Sequence, residues 1–340
     1  MKKIEGIKSV DFKITAEGEG VVNWNGSTEL KMFDTKQGKY IKVRNHSLPK
    51  LRGYRNITER TKGDGEKFQD LKRTDEDIDF KENNLYISQN CIRHHLFKAE
   101  SFNLQDPEVA KNMEKLLCSI TGLIRGYVVP KKEYKRTSAL LITDFIETEG
   151  NGNFEQMSTS GSKEKTKNKA GIEKSNSIFS KTTFGETKYE AYASISIEQL
   201  QFISLDDQFS RQTMEVNNEK EAKEVAYKIS KFIQSLGGNE NAEAVYHKNY
   251  VRKGSVFTNE KHGEAGILLN DVAIDTLIEK IKFLLENLSI RQAKGYMYVD
   301  SISADYNDSV LAKDMFRIKR DPGKTVENKK TVYAVYFEGI

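Results

Sequence analysis

The residues best suited to chemistry begin with Ile87-Ser88-Gln89-Asn90-Cys91-Ile92-Arg93-His94-His95-Leu96-Phe97. Ser88 can cap a helix whose apolar positions are Ile92, Leu96 and Phe97. A capped start leaves first-turn N–H groups and the positive end of the helix dipole for an anion, and Arg93, about one turn on, can pair with it. That chemistry suits a phosphate, with Ser88, Gln89, Asn90, Arg93 and His94 as the candidate ligands. A capped surface helix is written with the same letters. Adjacent His94 and His95 cannot both face one side of a helix, so at most one of them addresses a ligand.

Net charge is only +4 over 340 residues, so a polyanion partner has to be argued from where the charge sits. Between Lys31 and Lys62 ten cations, among them Lys42, Arg44, Lys50, Arg52 and Arg55, meet only Asp34 and Glu59, a net +8 in 32 residues. Phe33, Tyr40 and Tyr54 lie among them. Cations neutralise phosphates and rings stack on bases, whereas a merely solvated face needs no rings. A second stretch carries Lys163, Lys165, Lys167, Lys169 and Lys174 in a Gly, Ser and Asn background.

Other chemistries find little support. There is no Gly-x-Ser-x-Gly elbow, no phosphate-binding glycine loop ending in Gly-Lys-Ser/Thr, and no Gly-x-Gly-x-x-Gly opening a helix after a strand. Asp75, Asp77 and Asp79 have the spacing of a calcium loop but lack its sixth-position glycine and twelfth-position glutamate, so they read as a solvated acidic turn. The two cysteines, Cys91 and Cys118, and five histidines make neither a disulfide framework nor a zinc cluster. No metal or cofactor is expected. No apolar run reaches the roughly 20 residues of a membrane helix, and Met1 to Val10 is no signal segment, so the expected setting is the cytoplasm, without a membrane partner.

The elements that must hold these residues follow from periodicity. Val10, Phe12 and Ile14 alternate with polar residues as in a half-buried strand, with Val21, Val22 and Trp24 read as its continuation or its pairing partner. Residues 28–83 show little periodicity and read as an extended insertion outside the core. After the Ser88 helix, Val109 to Leu123 repeat at helical spacing behind Pro107 and stop at Gly126. Ser138 to Ile146 predicts a buried strand, 150–188 a mobile protrusion, and Tyr189 to Leu205 one long strand. Ala222 to Leu236, closed by Gly237 and Gly238, and Asp271 to Leu288 are amphipathic helices. Tyr296 to Ile302 and Thr331 to Phe337 read as closing strands. The order predicts an α+β fold with helices on one face of an antiparallel sheet.

The first strand running into Gly20-Val21-Val22-Asn23-Trp24-Asn25-Gly26, the Ile87-Ser88 to Arg93-His94 helix start, and Ser160-Gly161-Ser162 through Ser177-Ile178-Phe179 to Tyr189-Glu190-Ala191-Tyr192-Ala193-Ser194-Ile195 resemble one family. It is the Cas-seven backbone subunits of CRISPR Cascade-type effector complexes, in the RAMP superfamily, matched over roughly residues 5–250. The resemblance implies an RNA-recognition-motif-like (ferredoxin-like) palm from 1–27, 84–149 and 189–340, a finger or web insertion at 28–83, and a thumb at 150–188. It implies copies stacked head to tail along a CRISPR guide RNA, pairing of that guide with a target DNA or RNA strand, and contact with other effector subunits. Related subunits that cut RNA use an aspartate in an early loop. Asp34 is the one comparably early aspartate and its surroundings differ, so no nuclease activity is expected. Two rivals stand beside this reading: a RAMP endoribonuclease with His94 or His95 as general base, and a self-assembling protein that holds no nucleic acid.

Overall fold

The computed structural model describes residues 4–34, 38–49, 84–98, 111–130, 132–149, 154–159, 166–167, 173–174, 178–183, 185–207, 211–253, 263–309 and 315–340. Along the chain run β1 (Ser9–Gly20), β2 (Trp24–Asp34), β3 (Lys39–Pro49), β4 (Tyr86–Ile87), α1 (Gln89–Leu96) and α2 (Met113–Leu117). Next come β5 (Tyr127–Val129), β6 (Tyr134–Arg136), β7 (Leu140–Ile142), β8 (Phe145–Glu147), β9 (Phe154–Thr159), β10 (Thr166–Lys167), β11 (Glu173–Lys174) and β12 (Ile178–Thr183). Then follow β13 (Glu186–Ser196), α3 (Ile197–Gln201), β14 (Phe202–Ser204), α4 (Glu219–Gly237), β15 (Ala244–Arg252), β16 (Glu264–Leu269) and α5 (Asp271–Glu286). The chain closes with β17 (Ser289–Gln292), β18 (Gly295–Asn307), α6 (Arg317–Arg320) and β19 (Phe337–Gly339).

Alternation in β1 sends Val10, Phe12, Ile14 and Ala16 into the core, where all four are buried. β13 on one side and β18 on the other pair antiparallel with β1, matching Phe12 with Ala193 and Ala304. The seven-stranded main sheet runs β17-β18-β1-β13-β8-β4, with β7 also on β13. A second antiparallel sheet runs β14-β16-β15-β19. The apolar stripes of α4 (Val225, Ile229, Ile233) and α5 (Ile274, Leu277, Ile278, Ile281) join the same buried cluster as β1. The protein is thus mixed α and β with antiparallel sheets, as expected. Its C-terminal third supplies β17 and β18 to the main sheet and most of the second sheet.

Local chemistry explains where the elements depart from the expected ones. Tyr189 to Leu205 is not one strand: Ser196 Oγ accepts from Gln199 N at 3.4 Å and starts α3, which separates β13 from β14. Ser138 to Ile146 breaks between β7 and β8, where Thr143 Oγ1 accepts from Tyr192 N at 2.9 Å. After α2, the chain makes a five-residue π-helix, Thr121–Arg125, which ends at Gly126 with φ +75°. Thr331 to Phe337 pairs only at its end, through β19, apart from a lone parallel bridge from Tyr333 to Ile7. The insertion opens with regular structure, since β2 and β3 form a separate two-stranded ribbon in which Trp24 lies opposite Pro49, not beside β1. Likewise β9 pairs with β12 and β10 with β11 in two-stranded ladders within 150–188. One short helix, α6, lies on the face of the main sheet opposite α5, so the helices do not all share one side.

Candidate nucleic-acid interface

Ser88 caps α1 as the sequence predicts, its Oγ accepting from Cys91 N at 3.4 Å. The anion site expected there is otherwise taken. Ser88 N donates to Asn23 Oδ1 at 2.9 Å, and Gln89 N donates to Asp144 Oδ1 at 2.8 Å, so a carboxylate of the chain itself already sits at the positive end of the helix. Arg93 is a second correction. Its Nη1 donates to Leu140 O at 2.8 Å, and its Nη2 to Arg125 O at 2.7 Å and Ser138 Oγ at 3.1 Å. Burial, then the neighbouring Arg125, lowers its pKa. The guanidinium staples the π-helical turn to β7 and does not face an external phosphate.

What α1 presents outward is Gln89, Asn90 and His94, all exposed. The His94 and His95 rings meet edge to face with centroids 5.2 Å apart. His95 is half-buried, and its pKa is lowered by burial and by the adjacent His94 and Lys98. A second buried arginine, Arg136, repeats the stapling: Nε donates to Leu123 O at 3.2 Å and Nη1 to Phe202 O at 2.9 Å. Its Nη2 reaches Gln199 O and Leu200 O, both at 3.3 Å, and burial lowers its pKa to about 10. Burial pushes the Cys118 thiol up to about 11, as befits a packing residue, and neither it nor Cys91 is in a disulfide.

Lys42 and Arg44 lie on β3. The ladder sets Lys31 opposite Lys42, Met32 opposite Ile41 and Phe33 opposite Tyr40. A pair of cations and a pair of rings thus stand two positions apart in the ladder. Asp34, opposite Lys39, ends β2. Lys167 lies on β10 opposite Glu173. Lys50, Arg52, Arg55, Lys163, Lys165 and the acidic run Asp75, Asp77 and Asp79 lie outside the described residues. Among the described residues no group of three or more His, Cys, Asp or Glu side chains could hold a metal. Among them, too, no helix is long and apolar enough to cross a membrane.

The outer face of the main sheet adds polar groups that alternation alone assigns to solvent. Asp11 is fully buried, accepting from Ser194 Oγ at 2.6 Å and Asn307 Nδ2 at 3.1 Å. Asp305, its neighbour on β18, is fully buried too and accepts from Arg317 Nε at 3.0 Å and Nη2 at 2.8 Å. The cover is the segment bearing α6. A third cation-rich run, six against Asp321 and Glu327 between Arg317 and Lys330, is the signal the sequence holds for it.

No curated protein matches the sequence. A solved chain described as "CRISPR RNA-guided surveillance complex" is 11% identical, with 74% of this chain and 72% of that chain covered and a TM-score of 0.28. Another, described as "CRISPR RNA-guided surveillance complex, pre-nicking", is 9% identical, with coverages of 73% and 77% and a TM-score of 0.27. The family described as "Type I-Fv CRISPR-associated protein Cas7fv-like" matches residues 6–339. The family-level resemblance read from Gly20–Gly26, the Ser88 helix start and the 160–195 stretch therefore holds, and the chain belongs to the Cas7fv-like family of type I-Fv CRISPR-associated proteins.

Proposed function

We propose that the chain is a non-enzymatic backbone subunit of a CRISPR surveillance complex in the cytoplasm. Copies bind head to tail along the guide RNA and present it, with other subunits, to a target strand. The family match over 6–339 carries this reading. The β2–β3 ribbon supports it: its register pairs Lys31 with Lys42 and, two positions on, Phe33 with Tyr40, and an RNA strand needs neutralised phosphates and flat surfaces for its bases. On this reading the palm is RNA-recognition-motif-like, and the ribbon and the β9–β12 ladder are its finger and thumb.

The test is a salt titration of binding to single-stranded guide-length RNA. Lys42→Glu with Arg44→Glu should weaken binding at least tenfold and flatten the dependence of log K on log salt by about 1.4, the share of two phosphate contacts on a single strand. Bound copies should increase stepwise with RNA length. Absence of any complex at low salt would remove the reading. Site-specific cleavage of repeat RNA, abolished by His94→Ala, would replace it with the endoribonuclease.

A further inference from the structure

We infer that the outer face of the main sheet, at its α6 end, is a second contact for the phosphodiester backbone of a single strand, separate from the ribbons and centred on Lys13, Lys319 and Arg320. The inference rests on the reading of the chain as a nucleic-acid-binding subunit. It adds a site at residues of the palm that are not among the candidate RNA ligands named above.

The geometry is that of cations held in place. Tyr192 lies on β13 with its hydroxyl donating to Glu190 Oε1 at 2.7 Å, and Lys13 Nζ pairs with Glu190 Oε2 at 2.8 Å. Lys319 Nζ sits over the Tyr192 ring, 4.9 Å from its centroid. One tyrosine and one glutamate therefore seat two lysines side by side, and a single carboxylate cannot neutralise both. Arg320 follows Lys319, and both are exposed. Lys8, just before β1, donates to the carbonyl of Asp308 at 3.0 Å.

The platform is anchored. Arg317 donates to the buried Asp305 through two nitrogens, to Asp308 Oδ1 at 3.0 Å and to Tyr306 O at 3.1 Å, while Asp305 Oδ1 also accepts from Val326 N at 2.8 Å. Cations on an already ordered segment lose little conformational entropy when a phosphate arrives. The far end of the same face has the opposite sign. Glu17, Glu19, Glu186 and Asp300 line it around one cation, Lys188, which is already paired with Glu149 at 3.1 Å, and Tyr298 donates to Glu17 Oε2 at 3.2 Å. A polyanion crossing the sheet is thus repelled at one end and held at the other, which confines it to the α6 side.

The phosphodiester could belong to the guide RNA or to a target DNA strand, and the experiment separates the two. Full-length protein with Lys319→Gln and Arg320→Gln is titrated with salt against single-stranded RNA and DNA of one sequence, beside a control of equal charge loss, Lys220→Gln with Lys231→Gln on α4. The α6 pair should lose about tenfold in affinity and about 1.4 in salt slope relative to the control. Loss with RNA alone assigns the site to the guide, loss with DNA alone to the target strand, and loss with both to either. Equality with the control on both strands overturns the site while leaving the function standing, whereas a wild-type chain that binds neither strand ends both. Lysine acetylation of the unmodified protein, with and without nucleic acid, gives a readout that needs no variant. Lys319 should be protected and Lys220 not; equal labelling of Lys319 in both states also overturns the site.

Discussion

Arg93 and Arg136 set the terms at the scale of single residues. Each directs its guanidinium at oxygens of the chain itself, and the two converge on the turn Thr121–Arg125, through Arg125 O and Leu123 O. Arg93→Ala should therefore lower stability by about 2–4 kcal/mol, the cost of leaving buried acceptors without charge-assisted donors. In urea melts Arg93→Lys should rescue little, because a point charge cannot span three oxygens, while RNA affinity of the folded variant should stay unchanged. Asp11 makes a pH-dependent statement. Burial raises its carboxyl above the ordinary 3.8, against the hydrogen bonds from Ser194, Asn307 and Ser9, and nearby Asp305 adds to the rise. Between its unfolded and folded pKa the folded chain holds the extra proton, so this residue's contribution falls as pH rises through that window. The urea midpoint of wild type relative to Asp11→Asn should accordingly drop from acid toward neutral pH, and a constant difference would show that burial does not govern this carboxyl.

At the scale of elements, short polar side chains decide where helices begin. Ser88, Ser196, Asn218 and Asn270 each accept from a backbone N–H in the first turn of the helix they precede. Helix ends depend on glycine in two different ways. Gly238 ends α4 in the left-handed region at φ +67° with open space around it, whereas Gly126 has φ +75° and a methyl group there would come within 2.4 Å of Arg136 O. Gly238→Ala should cost about 1 kcal/mol, the strain of the left-handed region alone. Gly126→Ala should cost clearly more, at least about 3 kcal/mol, as strain and overlap with backbone combine. Chemical denaturation of the pair measures the difference directly, and equal costs would mean that the β6 backbone yields.

For the whole molecule, the decisive connection is the C-terminal segment that ties the two sheets together. Ile7 N donates to Val332 O at 3.0 Å, Ala334 N to Ile7 O at 2.8 Å, and Lys253 N to Tyr336 O at 2.7 Å. Gln201 completes the tie, its amide oxygen accepting from Tyr336 N at 2.9 Å and its Nε2 donating to Ala334 O at 3.3 Å. Phe337 stacks on Phe202 at 4.1 Å, and Tyr333 is wholly buried. Truncation after Lys330 removes three large buried rings, those of Tyr333, Tyr336 and Phe337, each worth about 1.5–3 kcal/mol, along with this bonding. A loss of roughly 5 kcal/mol, with one sharp transition giving way to two, is expected in thermal or urea melts followed by both tyrosine fluorescence and circular dichroism. Retention of a single transition at the original midpoint would show that the sheets hold each other without the segment.

Much of this protein is written locally. The alternation of β1, the stripes of α4 and α5, the Ser88 cap and the stop at Gly126 rest on neighbours within a few positions, and periodicity reports them faithfully. Family membership is equally legible, because motif and element order lie along the chain. Arg93 is the counterexample: its letter and spacing suit a phosphate, yet its partners Leu140 and Arg125 lie 47 and 32 residues away. Asp11 sits where alternation assigns solvent, but a segment some 300 residues later covers it. Tertiary structure alone decided which cations face inward and which face out, because a charged side chain takes whichever oxygens folding brings within reach, and sequence distance does not measure that.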